Sequence, residues 1–346
     1  MKIGVVGAGT IGQLRAQSIK ENPATELVGV VDPMAASAER AVRGSGARAL
    51  TDLRQLLDLP GLDAVFVSSP LPAHEEQVLS ALAAGKHVLC EKPLSNTVES
   101  AWRMVEAARK AGKSLATGFN HRYYPSMKFI KQTVDAGLIG TLDHVRVFGG
   151  HDGLHNFRAD WQYKAPASGG GAMMDVGIHM TDLARHVAGD VTEVYGFSSN
   201  KVFQVPGSED NAVAVFRTQA GIPVFYQATW TEWKGYRFYV EAYGDRGMVR
   251  GYYAPMFNLL ITADKPGGAR TKQYKFYPEI MLREKFKSWT STALISFREE
   301  LVDFLGMVEG RKVALADGFD GFRAVEIANA VGQSTGTGRP IVLRPR

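Results

Sequence analysis

The chain has 346 residues, 45% of them hydrophobic, which is enough apolar material for more than one hydrophobic core. Its 40 basic and 35 acidic residues are scattered and give a formal net charge of +5, so no block of like charge favours a nucleic-acid partner. One cysteine, no apolar run of membrane-spanning length and no convincing secretory signal predict a cytoplasmic protein without a disulfide or a membrane partner.

The first 120 residues alternate between short apolar runs and segments with helical periodicity. The apolar runs predict strands buried on both faces, over residues 3–6, 27–31, 64–68, 87–90 and 114–117. The segments between them predict helices, over residues 11–20, 35–43, 73–84 and 98–111. This alternation indicates a doubly wound parallel sheet, so residues 1–120 are predicted to form an α/β domain of the Rossmann type.

The pattern changes after residue 120. Helices are predicted over residues 126–136, from the glycine run at 169–171 through 187, and over 296–308 and 317–332. Strands are predicted over residues 141–149, 193–198, 212–217, 223–232, 238–243, 247–252, 259–261 and 340–343. The short turns between them indicate a large, mostly antiparallel sheet, so residues 121–346 are predicted to form one α+β domain. The apolar and aromatic content of residues 213–253 also predicts that one face of this sheet meets another subunit.

A glycine pattern lies at the first predicted junction of strand and helix. It has the spacing of loops in which the backbone approaches a dinucleotide pyrophosphate, and its residues are Gly7, Gly9, Thr10, Ile11 and Gly12. Asp32 follows Gly12 by twenty residues, at the end of the next strand, where a carboxylate accepts hydrogen bonds from ribose hydroxyls. Its charge repels a 2′-phosphate, and Pro33 and Met34 follow it in place of an arginine, so NAD is predicted rather than NADP.

Polar residues also follow three later strands, at the sheet edge where open α/β sheets bind ligands. We predict that they contact the cofactor, and they are Ser69, Pro70, His74, Glu91, Lys92, Asn120 and Arg122. An alternative for His74 is that it only decorates the first turn of the following helix. Lys92 could also donate a hydrogen bond to a substrate oxygen and favour developing alkoxide charge.

Asp175 and His179 are spaced so that, on one continuous helix, they share a face. Histidine is the side chain best suited to accept a hydroxyl proton near neutral pH, so His179 is a candidate base. The alternative is that His179 is a core histidine and that Asp175 is a carboxylate favoured by the helix dipole.

With these motifs the chain resembles the glucose–fructose oxidoreductase/inositol dehydrogenase family (Gfo/Idh/MocA) over nearly its whole length. The resemblance rests on the glycine loop, the Ser69-Pro70…His74 turn, Glu91-Lys92-Pro93, Asn120-x-Arg122, and Gly169-Gly170-Gly171…Asp175-x-Gly177-x-His179-x-x-Asp182. It implies that Lys92, Asp175 and His179 surround the reacting carbon of a sugar or polyol. It also implies a homodimer or homotetramer formed through the second domain. Leu71 departs from the family pattern, which has asparagine there.

The predicted substrate-binding residues include the catalytic candidates Lys92, Asp175 and His179. The others are Arg122, His155 and Trp161. Trp161 could stack on a sugar ring, and aromatic core packing is the alternative. His151, Asp152, His155 and Asp160 suggest a metal site, but their spacing is irregular and no cysteine supports zinc. We therefore predict substrate-pocket or loop roles for them and no metal.

These observations predict an NAD-dependent oxidoreductase that acts on a secondary hydroxyl, or the matching ketone, of a sugar, polyol or sugar derivative. One alternative is an enzyme that uses bound NAD for transient oxidation and cleaves a glycosidic bond. Another is a noncatalytic NAD-binding regulator, against which Lys92, Asp175 and His179 argue.

Overall fold

The computed structural model describes residues 1–153 and 165–344. The chain divides into two compact units, Met1–Asn120 with Arg283–Arg323, and His121–Leu282 with Ala324–Arg346. Residues 283–323 therefore pack with the first unit and not with the rest of the predicted second domain, residues 121–346. The reason is visible at the edge of the first sheet, where the Thr117 N–H donates to the Ala316 carbonyl at 2.9 Å.

The first 120 residues contain alternating strands and helices: β1 (Lys2–Val6), α1 (Thr10–Glu21), β2 (Glu26–Val31), α2 (Ala35–Val42), β3 (Arg48–Leu50), α3 (Leu53–Leu57), β4 (Ala64–Val67), α4 (His74–Ala83), β5 (His87–Glu91), α5 (Val98–Ala111) and β6 (Leu115–Gly118). The strands form one parallel sheet in the order β3-β2-β1-β4-β5-β6. This order confirms the predicted doubly wound Rossmann sheet. The strand order reverses between β1 and β4, and ligands of such sheets bind outside the carboxyl ends at this point.

The first sheet is an apolar layer with helices packed on it. β4 is buried at all four positions, and Cys90 is buried in β5. Burial raises the pKa of the Cys90 thiol well above its ordinary value, so this cysteine is a core residue.

The chain continues with α6 (Pro125–Asp135), β7 (Leu142–Gly150), α7 (Ala165–Ser168), α8 (Ala172–Asp175), α9 (Gly177–Ala188), β8 (Val191–Ser199), β9 (Asn211–Thr218), β10 (Pro223–Thr229), β11 (Arg237–Gly244), β12 (Gly247–Tyr253), β13 (Phe257–Ala263), β14 (Arg270–Phe276), α10 (Pro278–Lys287), α11 (Thr290–Val308), α12 (Gly318–Thr337) and β15 (Ile341–Val342). The second sheet has the order β14-β13-β12-β11-β7-β10-β9-β8-β15. Among the described strands its pairs are antiparallel apart from β7 with β10, as predicted for a mostly antiparallel sheet. None of the helices in the described part of the chain is long and apolar enough to cross a membrane.

Several predicted elements have other bounds in the structure, among them the helix predicted to end at residue 187 and the strand predicted to begin at residue 223. The helix predicted from residues 169–171 through 187 is divided, because α8 ends at Asp175 and α9 begins at Gly177. Gly169 and Gly170 have φ values of 77° and 151°, so the backbone becomes helical only at Ala172. The strand predicted over 223–232 ends at Thr229, before a turn in which the Gly235 N–H donates to the Glu232 carbonyl.

Candidate active site

The glycine loop between β1 and α1 is shaped by contacts that exclude side chains. Gly7 has a φ of +89°, and a Cβ there would lie 2.6 Å from the backbone nitrogen of Ser69. A Cβ at Gly12 would lie 1.8 Å from the Gly7 carbonyl oxygen, so α1 packs directly on the loop. Beside Gly9, a Cβ would meet no described atom within 4 Å. The backbone at Gly9 therefore faces open space.

This open space lies at the N-terminus of α1. Gly9 is the N-cap residue, the first turn has no acidic residue, and no described side chain caps it. The first N–H groups of a helix, those of Thr10 and Ile11 among them, have no intrahelical partner and carry partial positive charge. Such a terminus is suited to binding phosphate, so the loop fits a dinucleotide pyrophosphate.

Asp32 lies just past the end of β2 and contacts the same loop. Its Oδ2 accepts the Ala8 N–H at 2.7 Å, and its Oδ1 accepts the Met34 N–H at 2.9 Å. The side chain is half-buried. Each carboxylate oxygen has a second lone pair, so these bonds leave capacity for hydroxyl donors. The structure thus brings Asp32 to the glycine loop, as a role in ribose binding requires.

His74 connects two of the predicted cofactor-binding turns. Its Nε2 lies 3.0 Å from the Ser69 carbonyl oxygen, and its Nδ1 lies 3.1 Å from the Pro93 carbonyl oxygen. The ring is buried, and this burial lowers the pKa of His74 against the opposing effect of the two carbonyls. The histidine therefore holds the turn after β4 against the turn after β5, where Lys92 lies.

Glu91 forms a buried ion pair at the end of β5. Its carboxylate accepts bonds from Arg15 Nε at 2.8 Å and from a terminal Arg15 nitrogen at 2.6 Å. Arg15 also pairs with the buried Glu300, and its guanidinium lies 3.9 Å from the Phe297 ring centroid. A Cβ at Gly118 would lie 2.8 Å from this guanidinium. The network fixes the strand end that immediately precedes Lys92.

Lys92 and Asn120 follow the ends of β5 and β6. Lys92 is half-buried and lies directly after Glu91. Asn120 donates its amide to Ser296 Oγ at 3.0 Å, which ties the end of β6 to α11.

In the second unit, Asp175 is the last residue of α8 and lies in a network of ring donors. Its Oδ2 is 2.7 Å from His151 Nε2 and accepts the Trp230 indole N–H at 3.1 Å. His151 follows β7, and Trp230 follows β10. Asp175 is therefore held against the second sheet at the ends of its two parallel strands.

His179 lies in the first turn of α9 and is buried. Its ring stacks on the ring of His121, with 3.6 Å between centroids and 17° between planes. The other face of His121 stacks on Phe238, with 4.4 Å between centroids. His121 Nε2 lies 3.2 Å from the Tyr236 hydroxyl. The predicted base therefore lies in a stack of three rings that fixes its plane.

Arg122 is buried and pairs with Asp182, one turn after His179 on α9. Its Nε donates to Asp182 Oδ2 at 2.8 Å, and a terminal nitrogen donates to Oδ1. This two-point contact holds Arg122 and its immediate neighbours against α9. The conformation thus gives Arg122 a structural contact in addition to its predicted role in binding.

Two glycines of the motif between Gly169 and Asp182 make room for neighbouring groups. A Cβ at Gly171 would lie 2.1 Å from the Glu209 carbonyl oxygen, while the Glu209 carboxylate accepts the N–H groups of Gly171 and Met173. A Cβ at Gly177 would lie 2.2 Å from the Tyr226 hydroxyl. The glycine run therefore lets Glu209 cap α8, which the sequence did not indicate.

Two predicted substrate-binding residues, His155 and Trp161, lie outside the described residues, as does Asp160. Within residues 1–153 and 165–344, no three His, Cys, Asp or Glu side chains are grouped so that they could hold a metal. His151, for which the sequence favours a substrate-pocket or loop role, is a hydrogen-bond partner of Asp175.

Sequence reasoning missed His121, Trp230, Tyr236 and Glu209. Their partners are distant along the chain, so no local spacing reveals them. The second unit thus contains a hydrogen-bonded carboxylate (Asp175), a stacked imidazole (His179) and a phenol (Tyr236). Such groups can accept a hydroxyl proton and orient a molecule that has several hydroxyls.

Comparison with known families agrees with both halves of this description. Residues 1–119 match the family model described as an oxidoreductase family with an NAD-binding Rossmann fold. Residues 127–250 match the model described as the GFO/IDH/MocA C-terminal domain.

Similar proteins match the chain from end to end. A 1,5-anhydro-D-fructose reductase of Ensifer adhaerens is 31% identical, over 97% of this chain and 96% of that protein. A myo-inositol 2-dehydrogenase of Thermotoga maritima is 28% identical, over 99% of this chain and 98% of that protein. The solved structure of a levoglucosan dehydrogenase in complex with NADH and L-sorbose has a TM-score of 0.86 and 21% identity, with 99% of each chain covered.

Proposed function

The chain belongs to the GFO/IDH/MocA family of NAD-binding oxidoreductases, and we propose that it moves a hydride between NAD and a ring-borne secondary hydroxyl, or the matching ketone, of a sugar or polyol. Relatives named for inositol and anhydrofructose, and a structural neighbour complexed with NADH and L-sorbose, support this substrate class. The observation that carries the proposal is that Asp175 and His179, four residues apart, are each held by rings, Asp175 by His151 and Trp230 and His179 by His121.

NAD is the cofactor of this family, and the first unit has the groups to hold it. The open backbone at Gly9 and the first N–H groups of α1 would take the pyrophosphate. Asp32 would take the ribose hydroxyls and disfavour a 2′-phosphate. When bound, NAD supplies the acceptor or donor of the hydride. We propose that Ser69 and Pro70 border the cofactor, and that His74 and Glu91 hold the neighbouring turns.

We propose that Lys92, Asp175 and His179 are the catalytic residues. In the oxidative direction a ring nitrogen of His179 would accept the proton of the reacting hydroxyl. The Asp175 carboxylate, four residues earlier in the chain, would stabilise the imidazolium that forms. Lys92 Nζ would donate a hydrogen bond to the same substrate oxygen and stabilise its developing charge.

We propose a homodimer or homotetramer formed through the outer face of the second sheet. On β8, β9 and β10, apolar side chains point outward in register, with Tyr195 opposite Val215 and Phe197 opposite Val213. Phe197, Phe225 and Val215 are 55%, 47% and 44% exposed. On the same sheet Glu241 accepts Arg250 Nε and lies 3.9 Å from Arg146, so that charge is already paired. An exposed apolar face whose charged residues are already paired is suited to contact with a second copy of the chain.

The experiment is a screen of purified protein with NAD against inositols, anhydrosugars, hexoses and glycosides, followed by NADH absorbance. We expect NADH to form with at least one polyol or sugar, without release of an aglycone. Release of an aglycone without net NADH would instead assign the chain to the glycoside-cleaving alternative. Tight NAD binding without turnover of any compound would favour the regulator.

A further inference from the structure

We infer that His151 and Trp230 are positioning residues, which hold Asp175 ionised and in one orientation for the chemical step. The inference rests on the proposed catalytic role of Asp175. Neither residue belongs to the sequence motifs that indicated the site.

The two donors converge on one oxygen atom. His151 Nε2 lies 2.7 Å from Asp175 Oδ2, and the Trp230 indole nitrogen lies 3.1 Å from the same oxygen. Two contacts from different directions to Oδ2 fix the plane of the carboxylate. They thereby also fix the direction in which its other oxygen points.

The tautomer of His151 follows from its other nitrogen. His151 Nδ1 lies 3.0 Å from the Gly153 backbone nitrogen, which can only donate, so Nδ1 is the acceptor. The ring proton is therefore on Nε2 and is donated to Asp175. The indole N–H of Trp230 also only donates. Because both partners donate to Oδ2, the contacts favour the ionised carboxylate over its protonated form.

Both donors are themselves held in place. His151 and Trp230 are 5% and 1% exposed. The His151 N–H donates to the Thr229 carbonyl at 3.1 Å, and its own carbonyl accepts the Glu232 N–H at 2.9 Å. The Trp230 N–H donates to the Asp210 carbonyl at 2.7 Å. The two rings therefore do not need to be ordered when substrate arrives, and Asp175 is already oriented.

The consequence for the reaction is electrostatic. An imidazolium at His179 is stabilised by an anion nearby, and a carboxylate that keeps its charge and direction provides this at no cost of reorganisation. Loss of either donor lets the Asp175 carboxylate rotate or take a proton. The chemical step then slows, while NAD binding in the other unit is unchanged.

The first test compares His151→Leu with His151→Gln, whose amide retains an N–H donor at the end of the side chain. With a substrate from the screen, His151→Leu and Trp230→Phe should each lower kcat by about 10- to 100-fold, with NAD affinity close to wild type. His151→Gln should recover most of the loss. In the Asp175→Asn background, His151→Leu should have little further effect. An equal loss of kcat in that background, or equal losses for Leu and Gln, would overturn the inference.

The second test does not depend on turnover. Histidine-selective ¹⁵N labelling should show one neutral ring protonated at Nε2 that is lost in His151→Gln. The Trp230 indole proton should shift in Asp175→Asn. A His151 ring protonated at Nδ1 would refute the inference even if the enzyme is active. Absence of turnover with the predicted tautomer would refute only the proposed function.

Discussion

The imidazole rings of His121 and His179 lie parallel, with 3.6 Å between their centroids. His121 is in turn stacked on Phe238, so the proposed base is the outer ring of a stack that begins on β11. An arrangement of this kind fixes the plane of His179 through packing alone.

Substitutions of His121 should separate this packing from its nitrogen chemistry. His121→Ala removes the ring beside His179 and should lower kcat by about tenfold or more, because a small misplacement of a catalytic group is costly. His121→Phe keeps a flat ring and should retain more of the activity. Steady-state kinetics with the substrate found by the screen measures both. Equal activity in the two variants and the wild type would show that the stack does not position His179.

The glycine loop offers a matched pair of substitutions. Gly12→Ala places a Cβ 1.8 Å from the Gly7 carbonyl oxygen, so it should lower the free energy of unfolding by about 1–3 kcal/mol. Gly9→Ala meets no described atom within 4 Å and should leave Tm unchanged. Its methyl group would nevertheless occupy the space proposed for the pyrophosphate. NAD affinity should therefore fall in Gly9→Ala, and unchanged affinity would place the cofactor elsewhere.

Asp32 should select NAD over NADP. Asp32→Ala removes the charge that repels a 2′-phosphate and should reduce the preference for NAD in kcat/KM. Because Asp32 also accepts the Ala8 and Met34 N–H groups, Asp32→Asn is the control that keeps a side chain of the same shape. A wild-type preference for NADP of about tenfold, or 1.4 kcal/mol, would contradict the assignment.

The outer face of the second sheet should form a subunit interface. Sedimentation of the wild type at micromolar concentration should show a dimer or tetramer. The double substitution Phe197→Asp and Val215→Asp places charge on the exposed apolar face and should dissociate the oligomer into monomers. Val302→Asp, at a residue that is 52% exposed on α11 and not on the second sheet, is the matched control. A monomeric wild type would refute the proposal.

Most of the fold could be predicted because buried strands have a simple pattern. β4, buried at every position, follows the apolar run 64–68 closely. β3 escaped prediction because it has only three residues and two are exposed. β14 escaped because all seven of its residues are exposed, so neither alternation nor an apolar run marks it.

The contacts of the candidate site could be predicted only where they are local in sequence. Gly7, Gly12 and Asp32 have the spacing typical of a dinucleotide-binding loop, and the structure brings them together. The pairing of His151 with Asp175 depends instead on β7 lying beside β10, which single-sequence patterns do not specify. The same holds for His121, whose ring reaches His179 across 58 positions of sequence (179 − 121).

The central claim is that Lys92 and His179 are needed for chemistry and are largely dispensable for cofactor binding. NADH formation should be measured with Lys92→Met and His179→Ala beside Lys110→Met, an exposed lysine in the last turn of α5. The account predicts that kcat falls by about 10²–10⁴-fold in the first two variants, while NAD affinity stays within a few-fold of wild type and Lys110→Met is unaffected. Normal turnover in Lys92→Met and His179→Ala, or losses that follow a loss of NAD binding, would contradict it.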